Sequence, residues 1–511
     1  MKKILYFADF PSVVGGSNKV LLTQAHIMQQ KGYEVLVVIP NDANNFHVPE
    51  YDQICRSYGL SAVMAKFSIA TCMEGINILE VMESYASIKK IISDYKPDLI
   101  HSTQLNITVE LAARELQIPH LMNIYQIDKQ EFLIDWLNVY PQYHSADSEL
   151  FSRRWGEGLG IASRCVRVAY EMKNKASGKG NDKTGDINII TIGILCERKN
   201  QMEIIRFILK CRMHKKKVRL TLLGENNTLY GERCKKFVLE NGLQDMVIFA
   251  GFVLNIEDYL KKANLFVLAS KVESYPGVLV ESMANGVPII STPVAGVPEL
   301  LKNKENSFLT NGYAAEDIYQ TFVQYEEYVA RGRMQQIIDG AYTTYLYYHT
   351  YSQVGSQLEN YYEWIVRDYD GEEKSFLKLK DVAQIFNQHK NDKRADDVWF
   401  FYHVSMLIGK KENKKIAIWG AGICGKELME KIVGWGNSQL ELVGFIDTNK
   451  KGRYLGYPII QDKDYALKKC GTIFVAVAEE RARLEIMGYL EKQGKERNKD
   501  YFMFVNEPIR I

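Results

Sequence analysis

Two carboxylates flank a Pro-Gly pair in the stretch Ser270-Lys-Val-Glu273-Ser-Tyr-Pro276-Gly277-Val278-Leu-Val-Glu281, which directly follows an apolar run ending at Leu268. Proline suits the first turn of a helix, where its missing N–H costs nothing, and glycine lets a ligand approach the backbone closely. The spacing predicts a helix that starts beyond the end of a parallel strand. Such a start is an anion site, because its unpaired N–H groups and its dipole favour a diphosphate. Glu281, on the helix, is then placed to accept hydrogen bonds from ribose hydroxyls. Glu273, in the loop, is placed to contact a sugar or to balance charge as a glycosidic bond breaks. Taken alone, two acids near a helix start are also ordinary surface residues.

A second constellation lies far downstream. Lys415-Ile-Ala-Ile-Trp419-Gly420-Ala-Gly422-Ile-Cys-Gly425 reads as a strand, a Gly-x-Gly-x-x-Gly turn and a helix, the order in which glycines bring a backbone up to a pyrophosphate. Asp447 ends the next apolar run, at about the 20-residue distance at which an acid meets ribose hydroxyls. This predicts a nucleotide or NAD(P); the alternative is a turn whose glycines only close the chain and pack a helix. No hexapeptide repeat and no substrate domain for hydride transfer accompanies it, so it reads as a binding or docking unit. Near the start, Gly15-Gly16 separates an apolar run from a helical pattern, where it permits approach of a phosphate or an acceptor, or makes a plain tight turn.

These residues need a frame, and the apolar pattern supplies one. Runs at 4–8, 35–39, 99–101 and 120–124 alternate with helical segments, the first of them 18–31 ending at Gly32, as in a doubly wound parallel sheet. A polar, glycine- and lysine-bearing stretch at 173–186 reads as a connector. Strands resume at 187–192, 219–223, 247–249, 265–268 and 288–291 in a second such lobe. The aromatic segment 351–364 and the charged region 368–411 offer helices, and strands return at 416–419, 442–446 and 473–477. The predicted fold class is α/β: an acceptor-side lobe at 1–170, a donor-side lobe at 186–345, a crossover helix and helical bridge at 346–412, and a smaller Rossmann-like unit at 413–511.

In that frame the Glu273 to Glu281 stretch, followed by Met283-Ala-Asn-Gly286-Val-Pro288 and Thr292-Pro-Val-Ala-Gly296-Val-Pro298-Glu299, resembles family 4 (group 1 type) retaining glycosyltransferases of the GT-B fold. Phe249-Ala-Gly251-Phe252, Leu223-Gly224, Ile192-Gly193 with Lys199, and Gly15-Gly16 are similar too, so the resemblance spans about residues 1–365. It implies transfer of a hexose-type sugar, with retention, from a nucleoside diphosphate sugar to a glycan or lipid-linked acceptor in surface polysaccharide synthesis. It implies that Arg198 and Lys199 neutralise the departing diphosphate, that Gly15, Gly16, Gly193, Gly277, Val278 and Glu281 line the donor, and that Glu273 faces the sugar. Two positions depart from the pattern: Ile194 stands where relatives carry an arginine, and Tyr125 where many carry a histidine beside the sugar. Tyr125 can hydrogen-bond a hydroxyl but cannot accept a proton near neutral pH as imidazole does; His101, ending another strand, is a further candidate for the cleft. The 413–511 unit, with Phe445-Ile-Asp447 and Gly456-Tyr-Pro458, resembles the N-terminal domains of sugar O-acyltransferases.

Composition bounds these readings. With 511 residues, 46% hydrophobic and 25% charged, the chain has material for about three globular cores. A net charge of +2 gives no chain-wide field for nucleic acid, and the basic run 210–219 reads as a solvated helix end. The eight cysteines form no Cys-x-x-Cys pair and no zinc spacing, as expected of thiols in a reducing compartment. The first apolar run stops at Asp9, too short for a signal sequence, and no apolar run reaches the ~18 residues of a membrane span. The expected location is cytoplasmic, with peripheral membrane association only through the acceptor. No Asp-x-Asp loop suggests a metal, and neither a metal nor another cofactor is expected to be required for transfer.

Overall fold

The computed structural model describes residues 2–9, 16–40, 48–65, 67, 78–104, 106–125, 141–159, 161–172, 186–253, 255–370, 414–434, 440–496 and 500–504. Gly15, most of the expected connector and the charged region 371–411 lie outside the described residues.

The first lobe is a parallel sheet of seven strands in the order β3-β2-β1-β4-β5-β6-β7. Its strands are β1 (Lys3–Phe7), β2 (Glu34–Pro40), β3 (Ser61–Ala65), β4 (Leu99–Thr103), β5 (His120–Asn123), β6 (Tyr143–Ala146) and β7 (Ala162–Cys165). β4, β5 and β6 are buried at every residue, as strands of a parallel sheet covered on both faces must be. The strand order reverses between β1 and β4, so the crevice at that switch point opens beyond their carboxyl ends.

The second lobe repeats the plan with β8 (Ile187–Ile192), β9 (Val218–Leu223), β10 (Val247–Gly251), β11 (Leu265–Leu268), β12 (Ile289–Ser291) and β13 (Phe308–Leu309), ordered β10-β9-β8-β11-β12-β13. Its switch point lies between β8 and β11, the two strands that lead into Gly193 and Ser270. One core of this lobe gathers Ile204, Phe207, Leu220, Val267, Phe308 and Phe322.

Two helices close the second lobe and return to the first. The boundary expected at residue 345 falls inside the helix Met334–Tyr348, and the crossover helix is Tyr351–Asp368. Its Tyr361 and Tyr362 are buried against the first lobe: Tyr362 Oη pairs with Tyr6 Oη at 2.8 Å, and Tyr361 Oη donates to the His144 carbonyl at 2.9 Å. Gly355 lets this helix press onto the helix Gly16–Gln30, for an added Cβ would lie 2.7 Å from Ile27 Cγ2. His101 is spent here too. It is fully buried and bonded to Tyr362, and burial pulls its pKa down to about 3. It is a neutral packing residue and not a cleft histidine, because β4 runs on to Thr103 and the crossover helix covers His101 at mid-strand through Tyr362.

A third sheet has the order β16-β17-β15-β14-β18-β19, from β14 (Lys414–Trp419), β15 (Leu440–Ile446), β16 (Arg453–Tyr454), β17 (Tyr457–Ile460), β18 (Thr472–Val475) and β19 (Tyr501–Met503). Only the β16–β17 pair is antiparallel among its described pairings.

Candidate active site

The site grows from the ends of β8 and β11. After β8 the chain turns through Gly193, whose φ of +148° is a region side chains disfavour. The aliphatic stem of Lys199 crosses that turn, with Cε 3.5 Å from where a Gly193 Cβ would stand. Asn200, at φ 57°, reverses the chain into the helix Gln201–Met213, and its Nδ2 donates to the Ala269 and Tyr313 carbonyls at 3.2 Å each. Lys271 N donates to the Arg198 carbonyl at 2.8 Å. The loops after β8 and β11 are thereby tied to each other.

That tie brings the expected acid and the expected basic pair together. Lys199 Nζ lies 2.5 Å from Glu273 Oε1, and Arg198 Nη1 lies 3.5 Å from Glu273 Oε2 and 3.1 Å from the Val272 carbonyl. Glu273 is buried, whereas Arg198 keeps over a third of its side chain exposed (39%). Two cations against one carboxylate leave a net positive charge at the mouth of the loop.

The helix Gly277–Ala284 follows, with Pro276 in extended backbone just before it and no side chain capping its start. Its first N–H groups therefore remain available for an acceptor. A Gly277 Cβ would stand 3.4 Å from Val168 Cγ1, an ordinary contact distance, so packing against protein does not by itself demand the glycine. Val278 is half-buried beside it. Glu281 is buried, yet only Oε1 has a partner: it receives Lys19 Nζ from the opposite lobe, while Oε2 is enclosed without a hydrogen bond. A buried carboxylate oxygen without a donor is costly.

The facing lobe contributes Gly16, which opens the helix Gly16–Gln30 with nothing among the described residues within 4 Å of an added Cβ. Ser17 Oγ bonds the Asp9 carboxylate, and Asp9 N donates to Asn18 Oδ1 at 3.0 Å, fixing the helix start to the end of β1. Tyr125 is buried and sits in a hydrogen-bonded group with Asn123, whose Nδ2 reaches Tyr125 Oη and Gln24 Oε1 at 3.0 Å each. Burial, with the charges of Asp147 and Asp9, holds its hydroxyl well above the usual tyrosine range, so it stays neutral while accepting from Asn123.

Residues not singled out as site candidates in the sequence clamp the lobes. Ser274 Oγ bonds Asp147 Oδ1, and a Cβ on Gly296 would collide with the Ser274 carbonyl at 1.8 Å. Burial pushes the Asp147 carboxyl up to about 7 against the pull of Ser274 and Arg167. Glu299 crosses to the first lobe, where its oxygens accept the Glu149 and Leu150 N–H groups at 2.9 Å and Arg167 Nη1 at 2.7 Å. It thus caps the helix Glu149–Leu159 from outside that helix's own lobe. Arg167 also stacks on the Tyr275 ring, 4.6 Å from its centroid.

In the third unit, Gly420 (φ +120°) and Gly425 are held small by protein: added Cβ atoms would lie 2.4 Å from the Ala476 carbonyl and 2.0 Å from the Gly420 carbonyl. Among the described residues, Gly422 alone of the three has nothing within 4 Å of an added Cβ. Asp447, expected to meet ribose, is engaged locally: Oδ2 accepts Ala421 N at 3.1 Å, and Oδ1 accepts Asn449 N at 2.8 Å and Lys450 N at 3.0 Å. Its carboxylate stabilises the glycine turn itself. Among the described residues, no group of three His, Cys, Asp or Glu side chains is arranged to hold a metal, and no helix is long and apolar enough to cross a membrane.

Comparisons with known proteins bear on this geometry. Residues 172–328 match the family model of glycosyl transferases group 1, and residues 415–490 that of the PglD N-terminal domain. A protein of Bacillus subtilis (strain 168) named as a teichuronic acid biosynthesis glycosyltransferase, TuaC, is 23% identical over 60% of this chain and 83% of its own length. The UDP-Gal:alpha-D-GlcNAc-diphosphoundecaprenol alpha-1,3-galactosyltransferase of Escherichia coli is 21% identical over 55% of this chain and 80% of its own. Among solved structures, Anabaena HepE in complex with UDP and glucose superposes with a TM-score of 0.59 at 16% identity, covering 71% of this chain and all (100%) of that one.

Proposed function

We propose that this chain, a glycosyltransferase with two GT-B lobes and a PglD-type domain appended, moves a hexose-type sugar with retention from a nucleoside diphosphate sugar to a glycan or lipid-linked acceptor in surface polysaccharide synthesis. The observation that carries the donor assignment is the junction of Lys199, Arg198 and Glu273 beside an uncapped helix whose Glu281 holds an enclosed, unpartnered oxygen.

In this reading the ribose donates a hydroxyl to Glu281 Oε2, and the diphosphate lies against the start of the helix Gly277–Ala284. As the bond from the anomeric carbon to the diphosphate oxygen breaks, charge grows on that oxygen. Arg198 and Lys199, set beforehand by Glu273, stabilise it. The acceptor hydroxyl attacks from the same face and passes its proton to the departing diphosphate oxygen as the new glycosidic bond forms. Tyr125, neutral throughout, positions a hydroxyl and does not take the proton. The two cations supply the leaving-group charge, so no divalent ion is assigned a role. In this reading Gly16 faces the substrate. The working location is the cytoplasm, with membrane contact only through a lipid-linked acceptor.

Incubation with UDP-, GDP- and ADP-hexoses tests this by the release of nucleoside diphosphate. We expect release from one donor class, unchanged by a chelator and reduced about 100-fold or more in Lys199→Ala, in line with the loss of a preorganised charge at a developing oxyanion. Interconversion of the sugar with no nucleoside diphosphate released would replace transfer by epimerisation.

The open face at Gly422 supports a second role for the third unit, binding of a nucleotide or a dinucleotide such as NAD(P). Quenching of protein fluorescence by NADH, abolished in Gly422→Asp, would establish it; no quenching by NADH and no thermal stabilisation by any nucleotide through this unit would leave it a docking module.

A further inference from the structure

We infer that Lys19 is a donor-binding residue that exchanges partners, leaving Glu281 for the diphosphate when the ribose arrives. The inference rests on the donor site proposed above and adds to it a residue from the opposite lobe.

Four observations carry it. Lys19 lies on the first turn of the helix Gly16–Gln30, which has no acidic residue in that turn. Its ammonium reaches across the cleft to Glu281 Oε1, the same carboxylate whose other oxygen is enclosed and unpartnered. The two ends of the pair differ: the Lys19 side chain is half exposed (50%), whereas that of Glu281 is 6% exposed. The lysine can therefore swing on a flexible stem, while the carboxylate is fixed by the helix that bears it. Finally, its backbone is anchored by the Ser17–Asp9 and Asp9–Asn18 bonds, so its reach is defined.

Charge supplies the reason for the exchange. With Arg198 and Lys199 set against Glu273, that junction carries one net positive charge, fewer than a departing nucleoside diphosphate carries in negative ones. Ile194, 41% exposed, adds no charge in the loop between β8 and Arg198. A ribose hydroxyl that satisfies Glu281 needs no cation beside it, and Lys19, released, is an ammonium anchored on the first lobe at the cleft. Partial loss of water around the ammonium in the cleft works against its charge, but the Glu281 carboxylate more than offsets this and, while the two are paired, holds the pKa of Lys19 above the ordinary lysine value. The ammonium stays charged through the exchange.

A merely structural cross-lobe pair and a partner exchange give different affinities. The probes are UDP, GDP and ADP, each with its matched nucleoside, titrated by calorimetry into the full chain and into Lys19→Met, Lys19→Arg and Glu281→Gln; the tightest-binding nucleotide is carried forward. Exchange predicts that Lys19→Met weakens nucleoside diphosphate binding about 10- to 100-fold. Nucleoside binding is held or improved, since Glu281 Oε1 is freed, and Lys19→Arg restores the preference for the diphosphate. Equal weakening of nucleoside and nucleotide would overturn the inference and make Lys19 a tether. Equal strengthening would overturn it as well and make Lys19 only a lock on Glu281. The underlying site fails separately: if Glu281→Gln leaves nucleotide binding unchanged, the donor assignment itself falls.

Discussion

At the scale of single residues, the central fact is that the cleft holds carboxylates in three different states. Glu273 is matched by two cations, Glu281 by one with an oxygen to spare, and Asp147 by a hydroxyl inside a buried cross-lobe contact. Asp147 has the pH consequence. Its carboxyl is raised from an ordinary value near 4 to about 7 by burial, with Glu273 adding repulsion and Arg167 and Ser274 opposing. The folded state therefore keeps this proton over a range in which the unfolded chain has lost it. Its contribution to stability is full below about pH 4 and declines as pH rises toward 7. Asp147→Asn should remove that decline, gaining on the order of 3 kcal/mol over the parent at pH 8 relative to pH 4. Parallel denaturant melts at the two values check it, and a pH-independent difference between the proteins would contradict it. Tyr125→Phe deletes only the hydroxyl that Asn123 meets; nucleotide affinity should hold while turnover drops, and an equal loss of both would place Tyr125 in the donor site. The acid and basic pair were legible because their loops carry short motifs with Gly and Pro at telling offsets. Lys19 was not, although it stands three positions after Gly16, because its partner lies 262 residues away.

At the scale of elements, the strands that sequence patterning finds are apolar runs such as β1, β8 and β11, and these surround both switch points. β6 (Tyr143–Ala146) was missed because it reads Tyr-His-Ser-Ala, yet it is buried throughout. Its polar groups pair laterally, with His144 Nδ1 2.7 Å from Ser163 Oγ and Ser145 Oγ bonded to Asn123, while His144 Nε2 is enclosed without a partner, and such pairing leaves no hydropathy signal. The helix it feeds, Glu149–Leu159, takes its cap from Glu299 of the other lobe. Glu299→Ala should therefore cost about 1–2 kcal/mol of stability, as for loss of a helix cap. It should also weaken nucleotide binding by loosening the lobes. The Glu299 carboxyl is held below its usual range by these N–H groups and Arg167, against the opposing effect of burial. Its contribution is thus present above about pH 4.5 and fades as pH falls through the lowered value. An unchanged melting temperature at pH 7 would show that the cap carries no weight.

At the scale of the molecule, the sheet orders and the returning helix Tyr351–Asp368 form the two-lobed plan on which the proposed transfer depends, and the third sheet shares a hydrophobic cluster with the first lobe, Ile416, Ile418 and Phe474 joining Leu5, Phe7 and Ile100. Two doubly wound lobes were legible from alternating strands and helices. Their mutual grip was not, for Ser274–Asp147 and Glu299–Arg167 join residues with no local relation. Removing residues from about 411 onward should leave donor binding intact, since every described contact of the Glu273–Glu281 site lies before that point. The measurement that bears most directly on the account is a thermal-shift and calorimetric titration of the whole chain against UDP, GDP, ADP, NAD and NADP, repeated with Glu281→Gln and Gly422→Asp. The account predicts selective stabilisation by one nucleoside diphosphate, lost in Glu281→Gln and kept in Gly422→Asp. Binding of NAD or NADP alone, abolished only by Gly422→Asp, would contradict it.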